Sequence, residues 1–372
     1  MLPEVWLRVV GQAEVVKPPY RVPSMGEIRA IEPCGLVAAS TFSGCGGSSL
    51  GYRMAGFSVR YANEFVEAAR DTYAANQSSA TFLDGRDIRT VTGAEILEYC
   101  GGSVDLLDGS PPCSDFSTNG KRHEGWGKVK NYSDTTQRVD DLFFQFARLV
   151  REVQPRCFVA ENVSGLVKGS AKGYFKLILA ALRDCGYKVN AKVLNASWLG
   201  VPQARERLIF VGVRDDQAFE PVHPRPLPYR YTVSDAIGDG LIEAGDTIDP
   251  EDGYDLSIVP YSIYPFWLRT AIGASSAERF NLFKINPKRP SPTIVATGGN
   301  AATASIAHWN VPRKLTLLEL RRLGGFPDDF VLTGIHPKRY ERIGRAVPPV
   351  MMSHIAAGLR DALLADRSLT HV

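Results

Sequence analysis

The chain has no run of about 18 apolar residues, the length a helix needs to cross a bilayer, which argues against a membrane-spanning helix. Its six cysteines (Cys34, Cys45, Cys100, Cys113, Cys157 and Cys185) form no CxxC pair, and no paired-histidine spacing accompanies them. That disfavours a structural zinc site and a disulfide scaffold, and predicts a reducing, cytoplasmic setting. Charge of one sign is scarce too. Lys and Arg number 43 against 40 Asp and Glu, a formal net +3, which permits a nucleic-acid partner without demanding one. Internal repeats and low-complexity tracts are absent. Near the start, Glu4 and Arg8 interrupt the apolar stretch of residues 1–10, which argues against a secretory signal.

What is present suits a folded enzyme. At 372 residues, with 44% hydrophobic and 22% charged, the chain can bury a catalytic core and carry an accessory lobe. Residues 1–35, with a strand-like run and a Pro-rich stretch, read as an N-terminal arm. From 36 an alternation begins: strands at 36–42, 58–62, 104–107, 157–160, 189–194 and 208–213, with helices through Met54 and at 65–75, 140–153 and 174–185. Strands alternating with helices of this length predict an α/β fold with a doubly wound, mostly parallel sheet over 36–214. Residues 215–288 are rich in Pro, Asp and Gly with poor periodicity, and predict a smaller irregular lobe. Residues 289–372 resume helical patterns at 316–323 and 346–364, the last helix packing back on the first domain.

Two strand ends carry chemistry. The first, 41–51, reads TFSGCGGSSLG. Gly44, Gly46 and Gly47 allow a sharp turn and close approach of a ligand, while the helix that follows offers free N–H groups. A dinucleotide fingerprint would be incomplete, because Ser49 stands where its third glycine belongs. Glu64, at the tip of the second strand, is placed to bind ribose hydroxyls; Asp87 and Ile88 follow at the next strand position. The second end, 108–117, reads DGSPPCSDFS. A thiol in a polar, proline-fixed loop is poorly placed to be a buried hydrophobe, and a thiolate is a nucleophile. Glu161 ends the apolar run 157–160 and is expected to face the same crevice. Arg205 and Arg207 share a face at period two as another strand begins.

In this order, TFSGCGG, Glu64, Asp87, GSPPCSDFS, Glu161-Asn162-Val163, GVPQARERLIFVG, RPSPTIVATGG, LTLLELRRLGGFPDDF and IGRAVPP make a chain that resembles the DNA cytosine-C5 methyltransferases. The resemblance runs over about 36–214 and 289–357. It implies a Rossmann-like methyltransferase sheet, S-adenosylmethionine as cofactor, double-stranded DNA as partner and no metal. It further implies a monomer with a cognate restriction endonuclease as companion. It assigns catalysis to Cys113, Glu161, Arg205 and Arg207. Cofactor binding would fall to Phe42, Ser43, Gly44, Gly46, Gly47, Glu64, Asp87, Ile88, Pro112, Leu142, Arg345 and Val347. The loop 114–138 would contact DNA through Ser117, Lys121, Arg122, Lys128 and Lys130, and 215–288 would be the target-recognition lobe.

Some features sit awkwardly with that pattern. The run 235–255 holds eight acids and no Lys or Arg, so phosphate should repel it and it is expected on the solvent side. The stretch 261–267 with Arg269, Arg279, Lys284 and Lys288 is the better DNA-facing candidate, against the plainer reading that its rings pack inside the lobe. Arg345 stands where the family has Asn, near the methionine end of the cofactor. Either it turns to a phosphate or carboxylate, or the cofactor carries an extra anionic substituent such as a carboxylated methyl. Competing readings are an RNA cytosine methyltransferase, a non-catalytic DNA-binding paralogue and a nicotinamide oxidoreductase. The last leaves Pro-Pro-Cys without a task.

Overall fold

The computed structural model describes residues 16–112, 130–132, 135–137, 142–168, 171–238, 240–242, 245–260, 262–279, 281–299 and 305–370. Cys113, Ser117, Lys121, Arg122 and Lys128 therefore lie outside the described residues, and Lys130 opens a short strand whose backbone alone is described.

The strands are β1 (Val37–Thr41), β2 (Ser58–Asn63), β3 (Phe82–Asp84), β4 (Leu106–Gly109), β5 (Lys130–Tyr132), β6 (Thr135–Gln137), β7 (Cys157–Val163), β8 (Tyr187–Asn195), β9 (Glu206–Arg214), β10 (Phe283–Lys284) and β11 (Ile306–Ala307). The helices are α1 (Met25–Arg29), α2 (Gly47–Met54), α3 (Glu67–Asn76), α4 (Gly93–Tyr99), α5 (Leu142–Val153), α6 (Lys172–Arg183), α7 (Val233–Ile237), α8 (Tyr264–Arg269), α9 (Leu317–Leu323), α10 (His336–Arg345) and α11 (Pro349–Thr370). Among the described residues, no helix is long and apolar enough to cross a membrane.

Seven strands form the main sheet in the order β3-β2-β1-β4-β7-β9-β8. Its left half is parallel throughout, β3 to β7, whereas β9 runs antiparallel to both neighbours. The reason lies in chain length. Ten residues join β8 to β9, and a parallel return needs a crossover of a dozen or more. This reversal matters for the site, because it brings the first residues of β9 to the carboxyl end of β7.

Apolar side chains sort to the two faces by period two. On one face Ala39, Leu107, Phe158 and Ala160 pack under α4, α5 and α6. On the other, Ala38, Leu106, Val159 and Ile209 pack against α2 and the inner side of α11 through Met352, Ile355 and Leu359. The long last helix thus covers the sheet. Helix starts follow local chemistry: Thr92 with Glu95 and Thr316 with Glu319 close capping boxes on α4 and α9.

The second core does not respect a boundary at residue 288. Val233, Ala236 and Ile237 of α7 pack with Leu320 of α9, Ile343 of α10, Met25 of the arm and Leu50 of α2. The arm is fastened there as well: the Tyr20 hydroxyl donates to the Arg322 carbonyl at 2.6 Å. A smaller cluster holds Ile258, Ile263, Trp267, Leu282 and Ala307.

The acidic run lies on the solvent side as its sign predicts at Asp235, Asp246, Glu251, Asp252 and Asp255, which are exposed. Asp249 is the exception among the described residues: it is fully buried and accepts from the Leu317 N–H at the start of α9 at 2.8 Å. Glu251 pairs with Arg321, Asp252 meets His336 at 3.2 Å, and Asp235 meets Lys17 at 2.8 Å. Orphan helix N–H groups and buried guanidinium groups need anionic partners, and this segment supplies them. The DNA-facing candidates of the lobe are likewise engaged within it. Trp267 is buried with its indole N–H on the His308 carbonyl, Lys284 lies 3.7 Å over its ring, and Arg269 pairs with Glu278.

Candidate active site

The site lies at the carboxyl ends of β1, β2, β4 and β7, the edge where parallel sheets present ligand chemistry. After β1 the chain turns tightly: Phe42 has φ 52°, Gly44 55° and Gly46 93°. A left-handed phenylalanine costs about 1–3 kcal/mol and marks a backbone held for a purpose. The Ser43 N–H donates to the Asn63 carbonyl at 3.0 Å, joining this turn to the end of β2. Glu64 continues the joint, accepting from the Gly44 N–H and the Val66 N–H at 2.7 Å each. Burial pushes its carboxyl up, while those two N–H groups and the Arg342 charge pull the other way.

No side chain caps α2 at Gly46, so its first N–H groups keep their anion-binding potential. A Cβ on Gly47 would overlap the Val347 carbonyl, which places Val347 directly on the helix start. Phe42, Ile88 and Leu142 converge on one apolar cluster. Asp87 is differently employed: it accepts from the Arg89 N–H at 2.9 Å and pairs with the Arg89 guanidinium at 3.0 Å. Pro112 is half-buried at the end of the described part of its loop. Of the expected cofactor residues, Arg345 stands apart on the exposed side of α10, its Nε 2.7 Å from Glu341. Glu341 also meets Arg342 at 3.0 Å and Lys338 at 3.6 Å.

The second half of the site is built by β4, β7 and β9. Gly109 of β4 pairs with Ala160 of β7, so the residues that follow, Ser110 and Glu161, emerge side by side. Gly109 must lack a side chain because a Cβ there would overlap Phe146 and crowd Thr41. The Asn162 amide donates to the Pro111 carbonyl at 3.2 Å and so fixes the proline turn to β7. Glu161 pairs with the Arg207 Nε at 2.5 Å, both side chains being mostly buried. They meet because β9 is antiparallel: Val163 lies opposite Arg207, and Glu161 is two residues back on the same face.

Arg205 has a different environment. It is 1% exposed, and its guanidinium donates to the Ile294 carbonyl at 3.1 Å and the Gly344 carbonyl at 2.9 Å. Gln203 reaches the same region, bonding the Leu323 carbonyl and the Ile294 N–H at 3.1 Å each. Burial pulls the Arg205 pKa well down, with Arg207 adding to the effect and Glu161 opposing it. Sequence reasoning passed over Asp108. This buried acid accepts from the Tyr52 hydroxyl and the Ser40 hydroxyl at 2.8 Å each. Its carboxyl is pushed up to about 7, chiefly by burial. A lone Asp before Gly in a strand end gave no signal that it would point inward.

Comparisons with known proteins agree with this fold. The C-5 cytosine-specific DNA methylase family matches the chain over residues 37–360. The chain is 32% identical over 345 residues to the Type II methyltransferase M.NgoFVII of Neisseria gonorrhoeae, covering 86% of this chain and 85% of that one. It is 30% identical over 336 residues to the Type II methyltransferase M.Bsp6I of a Bacillus species, covering 88% and 100%. Among solved structures, Spodoptera frugiperda DNMT2 matches with TM-score 0.62 and 18% identity, covering 89% of this chain and all of that one. A prophage-encoded Escherichia coli chain, assigned as a DNA modification methyltransferase, matches with TM-score 0.69 and 22% identity, covering 89% and 100%.

Proposed function

The chain belongs to the C-5 cytosine-specific DNA methylase family, and from that premise we propose that it methylates C5 of a cytosine flipped out of duplex DNA through a transient Cys113 adduct. The observation that carries this reading is the Glu161–Arg207 pair at 2.5 Å beside a proline turn held by Asn162. An acid and a guanidinium side by side can grip the edge of a pyrimidine that presents N3 and O2. The Type II methyltransferase relatives support DNA as the substrate and a cognate restriction endonuclease as companion.

The residues fit the cofactor the family implies. Helix α2 would receive its carboxylate, Glu64 its ribose hydroxyls, and Phe42, Ile88 and Leu142 the base. When bound, S-adenosylmethionine supplies a methyl group made electrophilic by a sulfonium. Plain methyl is favoured over a carboxylated one because the Arg345 charge is already met by Glu341.

The chain's own groups do the rest. The Cys113 thiolate attacks C6, and the C5–C6 π electrons move so that C5 becomes nucleophilic and charge develops at N3. Only a donor can offset that charge, so Glu161 must present its proton to N3. Arg207 then turns from Glu161 to O2 and holds the ring. Once C5 carries the methyl, a base removes the C5 proton, the C6–S bond breaks, and the thiolate returns. Flipping the base costs a few kcal/mol, which contacts in the pocket must offset.

The test is transfer of labelled methyl to unmethylated duplex DNA by wild type, Cys113→Ser and Glu161→Gln. We expect 5-methylcytosine from wild type and losses of about 10²-fold or more from each variant. Undiminished transfer by Cys113→Ser would remove the proposed nucleophile. Label appearing in RNA but not in DNA would overturn the substrate.

A further inference from the structure

We propose that Asp108 is a positioning residue for this reaction: its buried carboxyl group ties both flanks of the cofactor turn to the strand that leads into the proline loop. The inference rests on the reading of the turn 42–47 as the cofactor site.

The tie is read from three hydroxyls converging on one residue. Ser40 of β1 donates to one carboxylate oxygen and Tyr52 of α2 to the other, each at 2.8 Å. Thr41, also of β1, donates to the Asp108 main-chain carbonyl at 2.9 Å. β1 leads into the turn 42–46 and α2 leads out of it, so both flanks of the cofactor turn are fastened to β4. Three residues beyond Asp108 comes Pro111, which Asn162 holds from the far side. Asp108 is 1% exposed, Ser40 and Tyr52 are fully buried, and a leucine would fill such a place without the cost of burying a carboxyl.

The strand register links this tie to the catalytic edge. Asp108 lies opposite Val159, so Glu161, two residues on, points to the same face of the sheet one step nearer the edge. The Glu161 charge is in turn felt at Asp108. On its other side Glu161 faces Arg207 at 2.5 Å. The groups that face Asp108 and Glu161 are Ser40 from β1, Tyr52 from α2, Tyr73 from α3, and Arg205 and Arg207 from the β9 segment.

The experiment is steady-state DNA methylation by the full chain carrying Asp108→Asn, with kcat and KM for S-adenosylmethionine measured separately. Asn keeps the size but replaces one accepting oxygen with a donating NH2, so KM should rise several-fold while kcat at saturating cofactor stays within about threefold. Tyr52→Phe and Ser40→Ala each cut one tie and should raise KM in the same direction; they stand in for Asp108→Asn if that variant does not fold. A wild-type KM in the folded variants overturns the inference. An unchanged KM in Gly47→Ala would instead overturn the reading of the turn as the cofactor site, and so separates failure of that reading from failure of this proposal.

Discussion

Arg205 and Arg207 are two residues apart and chemically identical, yet their surroundings predict opposite consequences of removal. Arg205 spans the interface between β9 and the 294–344 segment, giving one N–H to Ile294 and another to Gly344. A hydrogen bond from a charged donor contributes about 1.5–3 kcal/mol, so the pair contributes roughly 3–6 kcal/mol before costs. Against this stands the desolvation of a guanidinium in a fully buried place, which a neutral side chain of similar length would not suffer. Arg205→Met should therefore lose about 3 kcal/mol net, and Arg205→Ala about 2 kcal/mol more for the space left empty.

At roughly 2–4 °C per kcal/mol for a large domain, Arg205→Met should lower Tm by about 6–12 °C. Its kcat, measured well below that Tm, should stay within about threefold of wild type. Arg205→Lys should recover little of the stability, because one ammonium on a flexible stem cannot serve two fixed carbonyls as a planar fork does. Arg207→Ala should show the reverse: kcat lower by about 10²-fold or more, with a Tm shift of a few degrees. The reasoning is refuted if Arg205→Met melts with wild type while kcat falls 10²-fold. That result would put Arg205 at the substrate rather than in the brace between the two segments.

Other outcomes follow from single contacts. Gly47→Ala drives a Cβ into the Val347 carbonyl, so the start of α2 must shift; KM for S-adenosylmethionine should rise by about tenfold or more, and stability should fall by about 1–3 kcal/mol. An unchanged KM would mean that the helix start does not hold the cofactor. Asp108 also sets a pH dependence of stability. Its folded carboxyl titrates at about 7 and its unfolded one at about 3.9, so the unfolded chain gives up the proton first. Stability should fall as pH rises from about 4 to 7 and level off above, by at most about 4 kcal/mol. Urea midpoints for wild type and Asp108→Asn at pH 5 and pH 8 check this, and equal slopes would refute it.

Much of the catalytic half was legible because its signals are local. The apolar run 36–42 and its glycine turn predict β1 and the start of α2, found at Val37–Thr41 and Gly47–Met54. Asp140 to Val153 predicts α5, found at Leu142–Val153. The direction of β9 was not legible from periodicity, which is the same for parallel and antiparallel strands, although the short β8–β9 connection encodes it. Period two also misleads at Arg205. The strand begins at Glu206, so the alternation that places Arg207 beside Glu161 has not yet started at 205. Helix α10 escaped notice because residues 336–345 read HPKRYERIGR, with too few apolar residues to show a stripe.

In the second lobe the described acids of 235–255 face outward as their sign implies, except Asp249. The apolar cluster of the lobe is small, and ion pairs lie beside it. Arg313 and Glu319 form a bidentate pair at 2.8 and 2.9 Å, each 1% exposed, next to Arg321–Glu251 and the Asp249 contact with α9. Such pairs add little over a well-packed apolar core, because desolvation cancels most of the attraction. Deleting one partner is a different matter, since the other is left buried and unpaired, at about 3–5 kcal/mol. A lobe built this way tolerates few alternative packings, as each acid has a geometry only its own base satisfies. The rule that charges face water therefore holds for most of 235–255 and fails at Asp249, Arg313 and Glu319, each buried against its own partner.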